Sequence, residues 1–325
     1  MVVLAVEVIS GDVVLFKRIL LCAALALTAG QAHAADCQLK QLASLDAIVK
    51  DNEVLIPVTL SGQTGGYFVL DFNALVSGLA DSSADALHLK RSFMNSRLTI
   101  HLDGKLVREQ VVVPLQMGGV KGDIIMGVIP QYAPSDKRIV GVVGTDLLGR
   151  FDVDLDLAHS KVNLFSPDHC SGQVVYWTHE GAVAVPMHFQ GQETFVIPMQ
   201  LDGHDINASL STDGVPILSS RIAHDTFGID EAGPRDGHMP THRFKTLSVE
   251  GLTISNPDIA IYEDKSECNG NAKMKDVPLR AEHSVEFVKC YGSPDLTLAL
   301  PELKRLHVYL AFQERTLYAS GADAH

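Results

Sequence analysis

Basic residues are scarce in this chain: 26 lysines and arginines stand against 39 acids, giving a formal charge of -13 at pH 7. A protein that tracks nucleic-acid phosphates needs clustered cations, so nucleic acid is excluded as a partner. No Gly-rich phosphate loop is present, and Ser211, Ser219 and Ser220 lack the Gly-x-Ser-x-Gly elbow of a serine hydrolase. No Cys-x-x-Cys pair exists, which argues against a zinc ion held by four thiolates. His238 and His242 are spaced as helical metal ligands would be, but Met239-Pro240 between them breaks such a helix. They read as loop histidines, and no metal or cofactor is expected. The longest early apolar run, Ile19 to Ala29, is shorter than the roughly 20 residues of a membrane span.

That run has another reading. Lys17-Arg18 supply a positive n-region, Ile19 to Ala29 an apolar core and Ala32-His33-Ala34 a small-x-small cleavage site before Ala35. Residues 1–34 are therefore expected to be a signal peptide, with translation starting near Leu15 or Phe16, and the mature protein to be periplasmic or secreted with no membrane span. Neither Cys22 nor Cys37 follows a lipoprotein-type box. Export leaves Cys37, Cys170, Cys268 and Cys290, an even number in an oxidising compartment. Of the three possible connectivities, Cys37–Cys170 and Cys268–Cys290 are expected, because each pair then stays within one half of the chain. Asn207-Ala208-Ser209 fits a glycosylation pattern but reads as part of a strand.

The rest, 46% hydrophobic and 20% charged, is long enough for one large domain or two of medium size. Its halves match. Tyr67-Phe68-Val69-Leu70-Asp71-Phe72-Asn73, an apolar run ending in a carboxylate and a turn, has an edited copy in Ala208-Ser209-Leu210-Ser211-Thr212-Asp213-Gly214. Val142-Val143-Gly144-Thr145-Asp146 through Val153 lies over Thr297 through Val308. An internal duplication follows, with one lobe over residues 35–172 and a second over 173–325.

Strand patterning dominates. Val54–Leu60 and Tyr67–Leu70 are predicted to form a hairpin across residues 61–66, mirrored by Phe195–Leu201 and Ile206–Leu210 across residues 202–205. Leu98–Leu102 and Val111–Leu115 are predicted as strands joined at Asp103-Gly104, and Gly118, Gly119 and Gly122 predict a mobile segment after them. Residues 37–49 read as either a short helix or an edge segment. Ile139 to Gly144 is a buried strand, and Thr145 is placed to cap a helix over Asp146–Arg150. Phe151–Leu157 alternates strictly and pairs with Lys161–Phe165, its Asp152, Asp154 and Asp156 reading as a solvated face. Ser219–Phe227 reads as a helix closed by Gly228, and Pro301 as the start of a helix over Glu302–Leu306.

A strand ending in Asp-Thr-Gly, followed downstream by two apolar residues and Gly, is the pattern that the Asp71 and Ser211 segments resemble. It belongs to the retropepsin-like aspartic proteases. The resemblance covers most of residues 50–320 and implies an all-β protein with a few short helices, two barrel lobes facing across a cleft, and a flap from the middle of the first lobe. It also implies one catalytic Asp per lobe, the two carboxylates sharing a proton to supply an acid and a base. Here Asp71-Phe72-Asn73 and Ser211-Thr212-Asp213 occupy the two motif positions. Val142-Val143-Gly144 fits the second element, while Leu298-Ala299-Leu300 stands there in the second half, with Leu300 at the glycine. In the family the motif Thr braces the two loops and the motif Gly admits the backbone to the water; Phe72 and Asn73 supply neither. Asp71 is then a lone carboxylate, expected to stay ionised at neutral pH. The expectation is an exported pseudo-peptidase that holds an extended peptide or protein segment in its cleft by strand addition. The alternatives are an active endopeptidase pairing Asp71 with Asp213 (in the Asp213-Gly214 turn) or with a symmetry-related Asp71, and a structural envelope protein.

Overall fold

A computed structural model describes residues 38–63, 65–94, 100–102, 104–179, 181–190, 194–230, 239–262 and 294–324. Residues 1–37, which include the expected signal peptide and Cys37, together with Leu98, Thr99, Asp103, His238, Cys268 and Cys290, lie outside the described residues, and the structure does not bear on the expectations placed on them. Among the described residues strand predominates and helices are few and short.

After β1 (Gln41–Asp46) the chain forms β2 (Ile48–Lys50), β3 (Glu53–Pro57), β4 (Thr59–Leu60), β5 (Tyr67–Leu70) and β6 (Gly78–Ala80), then α1 (Asp81–Ala86). Next come β7 (Ser92–Phe93), β8 (Ile100–Leu102), β9 (Lys105–Val107), β10 (Glu109–Met117), β11 (Val120–Ile129) and β12 (Ile139–Val143). Apart from β1 and the separate β8–β9 hairpin, these strands make a nine-stranded sheet in the order β2-β3-β5-β12-β6-β11-β10-β4, with β7 on β10. Only Val58 separates β3 from β4, so the sheet curls until β4 meets β10. Its inner face carries the main core, including Ile56, Phe68, Leu70, Val113 and Val143. Ile100, Leu102 and Val107 of the β8–β9 hairpin pack with Val69, Ala74 and Val142 in a second cluster.

Beyond α2 (Thr145–Leu148), β13 (Asp152–Asp156) and β14 (Lys161–Phe165), the chain continues through β15 (Val183–Pro186), β16 (His188–Gln190), β17 (Thr194–Leu201), β18 (His204–Leu210) and β19 (Ile217–Ser219). After α3 (Ser220–Phe227) follow β20 (Thr241–Arg243), β21 (Thr246–Val249), β22 (Leu252–Ser255), β23 (Asp258–Tyr262) and β24 (Leu296–Leu298), then α4 (Leu300–Leu303), β25 (Leu306–Ala311) and β26 (Thr316–Gly321). A second nine-stranded sheet runs β20-β23-β19-β24-β18-β17-β21-β22, with β16 on β17. The third sheet has six strands in the order β1-β14-β13-β25-β26-β15, all antiparallel, and draws together the beginning, middle and end of the chain.

The two nine-stranded sheets repeat one pattern. In the first, β3–β5 is antiparallel, β5–β12 parallel, β12–β6 antiparallel, β6–β11 parallel and β11–β10 antiparallel. In the second, β17–β18, β18–β24, β24–β19, β19–β23 and β23–β20 alternate in the same way.

Of the two readings of residues 37–49 the edge segment holds: residues 41–46 form strand β1 at the edge of the six-stranded sheet, because alternate residues Ala43 and Leu45 are buried against the core. Several other local expectations are corrected. The β8 strand pairs with β9, and β10 pairs instead with β11 over eight residue pairs from Gln110↔Gly127 to Met117↔Val120. Gly118 and Gly119 are therefore the tip of a long hairpin; Gly118 has φ +54°, and a side chain on Gly119 would meet the Leu42 carbonyl at 2.3 Å. The β17–β18 turn needs only Asp202 (φ 48°) and Gly203 (φ 81°), the left-handed pair of a tight hairpin. Gly144 caps α2 and the Thr145 side chain does not; α2 and α4 are each four residues long and begin one or two residues earlier than expected. Helix α3 is as predicted, with the Ser219 hydroxyl accepting from the Ile222 N–H and Gly228 left-handed at φ +66°. Asp152 and Asp154 are not solvated but fully buried, because the segment over residues 166–179 covers that face of the six-stranded sheet.

Candidate functional site

Two turns meet at the candidate site. Leu70, the last residue of β5, pairs in parallel with Val143, and the next N–H, of Asp71, donates to the Val143 carbonyl at 3.1 Å. In the second sheet Leu210 pairs with Leu298 and the Ser211 N–H donates to the Leu298 carbonyl at 2.8 Å. Asp71 and Ser211 thus leave equivalent strands at equivalent points. The same register sets Ala299, and not Leu300, at the Gly144 position: both have extended backbone and each precedes its short helix. Glycine is required at residue 144, since a β-carbon there would lie 2.5 Å from the Ala74 carbonyl oxygen and 3.0 Å from the Val76 backbone.

The turn after Asp71 is pinned from beneath. The Thr145 N–H donates to the Ala74 carbonyl at 2.8 Å, and the Thr145 hydroxyl donates to it at 3.1 Å. Asp146 accepts from both the N–H and the hydroxyl of buried Ser77, at 2.8 and 2.6 Å, and the Gly144 N–H donates to the Ser77 hydroxyl at 3.0 Å. The carboxylate of Asp71 accepts from the Asn73 N–H at 2.7 Å and from the Ala74 N–H. Asn73 therefore does bring its backbone to the acid, although its side chain is not glycine.

The turns are tied to each other by half of the expected brace. The Thr212 hydroxyl donates to the Leu70 carbonyl at 2.5 Å, across 142 residues of chain. Phe72 makes no such bond. It is buried, with ring centroids 6.2 Å from Phe195 and 6.3 Å from Phe312, which are themselves 5.7 Å apart. An aromatic trio drawn from β5–β6, β17 and the end of β25 replaces the second hydroxyl. The Gly214 N–H, donating to the Asn52 carbonyl at 2.8 Å, adds a further tie that the sequence did not signal.

Ser211 is buried and its hydroxyl is committed: it donates to the Asp213 carboxylate at 2.5 Å and lies 3.1 Å from the Asp213 carbonyl. Asp213, two residues beyond the motif position, is thereby folded back into the site. Burial, and then the charge of Asp213, push the pKa of Asp71 up to about 6, against which the Asn73 and Ala74 N–H groups pull it down. The expectation that Asp71 lacks a like-charged neighbour is corrected. Val142 and Val143 pack behind the turn in the core. Among the described residues no group of three or more His, Cys, Asp or Glu side chains is placed to hold a metal ion, and no helix is long and apolar enough to cross a membrane.

No protein-family model matches the sequence, and no curated protein matches it. Solved structures do resemble the fold. The aspartic proteinase from Irpex lacteus superposes with a TM-score of 0.55 at 9% identity, over 86% of this chain and 97% of that one. Basic 7S globulin from soybean superposes with a TM-score of 0.51 at 9% identity, over 88% of this chain and 96% of that one. At such identity the likeness is one of fold.

Proposed function

We propose that this chain, a pepsin-like fold whose two motif turns are both altered, is an exported protein that binds an extended peptide or protein segment between its nine-stranded sheets without hydrolysing it. One observation carries the reading: Ser211 stands where the second carboxylate is needed, and its hydroxyl is spent on Asp213. Hydrolysis by paired acids requires two carboxylates converging on one water, one protonated and one not. A serine that already donates to its neighbour supplies neither the charge nor a free proton donor. The matched strand orders support an origin by duplication, and the Lys17–Ala34 segment supports export.

A second reading has its own observation. Asp213 lies close enough to Asp71 for its charge to raise that pKa, and a pair of neighbouring carboxyl groups is what an acid peptidase uses. A mixture of randomised peptides, incubated with the protein at acid and at neutral pH and analysed by mass spectrometry, separates the two. Retention of intact peptides by the wild type and by Asp71→Asn alike is the expected result. Cleavage that disappears in both Asp71→Asn and Asp213→Asn overturns the binding reading in favour of the second.

A further inference from the structure

The six-stranded sheet carries a second, buried set of ionisable groups on the face away from the main core. Strand β13 turns Val153 and Leu155 to that core and Asp152 and Asp154 to the opposite side, where β25 presents His307 and Tyr309. Residues 166–179 lie over this face. Val174 is buried there with Phe165, Tyr309 and Tyr318. The Tyr176 hydroxyl donates to Asp154 at 2.8 Å, and the Asn163 amide donates to the same oxygen at 2.7 Å. His307 bonds the other Asp154 oxygen at 2.6 Å, and the Trp177 indole stacks on the His307 ring at 4.3 Å and donates to the Ser320 hydroxyl at 2.9 Å.

His169 is the group whose protonation the geometry dictates. Its side chain is 2% exposed. Its Nδ1 lies 3.2 Å from the Cys170 carbonyl oxygen and 3.2 Å from the Glu314 carboxylate, while its Nε2 bonds the Asp152 carboxylate. A carbonyl oxygen only accepts, so Nδ1 must carry a hydrogen; the hydrogen on the Nε2 side must then be a second one. With Asp152 ionised, either neutral tautomer would turn a nitrogen lone pair against an oxygen; with Asp152 protonated, Nε2 accepts its hydrogen, so in both forms the pair holds one proton. Tyr309 donates to Asp152 at 3.3 Å, Tyr318 donates to Glu314 at 2.7 Å, and the Gly172 N–H reaches Glu314 at 3.3 Å, while Arg315 follows Glu314 in the same turn. The remaining oxygen of Asp152 is buried, and the Phe312 backbone N–H also bears on this carboxylate.

We propose that residues 166–179, tethered at the disulfide-bonded Cys170, are a proton-operated latch, docked on the outer face of the six-stranded sheet while the His169–Asp152 pair holds its proton and loosened when that proton is lost. The direction follows from linkage. Burial lowers the His169 pKa, but the Asp152 bond, the Cys170 carbonyl and the two carboxylate charges outweigh it and raise it. Burial raises Asp152 by more than His169 lowers it. The pair holds its shared proton more tightly docked than undocked, so docking takes up that proton and weakens as pH rises. The His169 contribution is complete below the free-histidine pKa of about 6.5 and disappears as pH passes through its raised value. Because β13 and β25 follow α2 and α4 within a few residues, the latch bears on the strands that continue from the segments carrying Gly144 and Ala299.

Trp177 is the only tryptophan of the chain, so its emission reports this segment alone. Emission and amide exchange of residues 169–177 should change together as pH rises above about 6.5, exchange gaining about tenfold per pH unit beyond its intrinsic base catalysis. The His169→Gln variant should flatten both profiles. Its stability is not needed for the test, since wild-type exchange that stays pH-independent after intrinsic correction overturns the proposal by itself. The His307→Gln variant should alter the emission yet leave the exchange profile intact. A transition that survives His169→Gln but vanishes in His307→Gln also overturns it.

Discussion

Replacing Asp71 by Asn should make the protein more stable at neutral pH, although it removes the central polar group of the site. Burial and the charge of Asp213 raise the Asp71 pKa from 3.8 to about 6. The folded state thus holds this proton more tightly than the unfolded state, and stability falls as pH rises from 3.8 through about 6. Two pKa units amount to about 3 kcal/mol, and the partial exposure of the side chain reduces that to about 1–3 kcal/mol. An asparagine carries no charge, and its amide oxygen still accepts the Asn73 N–H. Urea unfolding of wild type and Asp71→Asn should therefore show the variant ahead by about 1–3 kcal/mol at pH near 7 and close to parity at pH near 3.5. Carbon-detected NMR of the Asp71 carboxyl should give a midpoint near 6 that drops in Asp213→Asn. An Asp71 midpoint near that of a free aspartate, or a variant no more stable than wild type at neutral pH, would refute the reasoning.

Three further outcomes are expected. Phe72→Ala empties the centre of the Phe72–Phe195–Phe312 trio and should cost about 3–5 kcal/mol in urea unfolding. Thr212→Val removes the donor to the Leu70 carbonyl while keeping the shape of the side chain, and should cost about 1–3 kcal/mol. Peptide mapping without reductant should find Cys37 joined to Cys170 and Cys268 joined to Cys290; crossed pairs would count against a boundary near residue 172.

How far the sequence was legible depended on what each pattern encodes. Apolar runs bounded by turn residues marked the β3–β5 and β17–β18 hairpins, because such runs have few other ways to bury both faces. Ser219 and Gly228 marked the ends of α3 through backbone chemistry that acts locally. Alternation in Asp152–Asp156 correctly showed which residues share a face, but period two does not say which face is wet. What dried it was a segment without regular structure, residues 166–179, whose aromatic and histidine side chains carry no periodic signal. Asp213 was misjudged for a related reason. Counting residues from the motif put it two positions out of place, yet in the tight turn at Gly214 (φ +68°) the carboxylate reaches back to Ser211, two residues earlier in the chain.

That reach-back decides what restoring an acid at residue 211 would do. Ser211 is buried, and its hydroxyl lies 2.5 Å from the Asp213 carboxylate and 3.1 Å from the Asp213 carbonyl. A carboxylate placed there would replace the donor in both contacts by acceptor oxygens and would set a third acid beside Asp71. Ser211→Asp alone should therefore destabilise the fold at neutral pH by more than it does in acid, and leave the protein without peptidase activity. Asp213→Gly alone removes the acceptor that the Ser211 hydroxyl uses and should cost about 1–2 kcal/mol. Combined, the two changes remove the repulsion that the first creates, so the pair should be less destabilising than the sum of the singles by about 1–3 kcal/mol in a double-mutant cycle. Additivity would mean that Asp213 does not contact residue 211 in solution. The short Ser211–Asp213 bond would then be lost as the reason for the missing chemistry, and the claim that this serine is already spent would go with it.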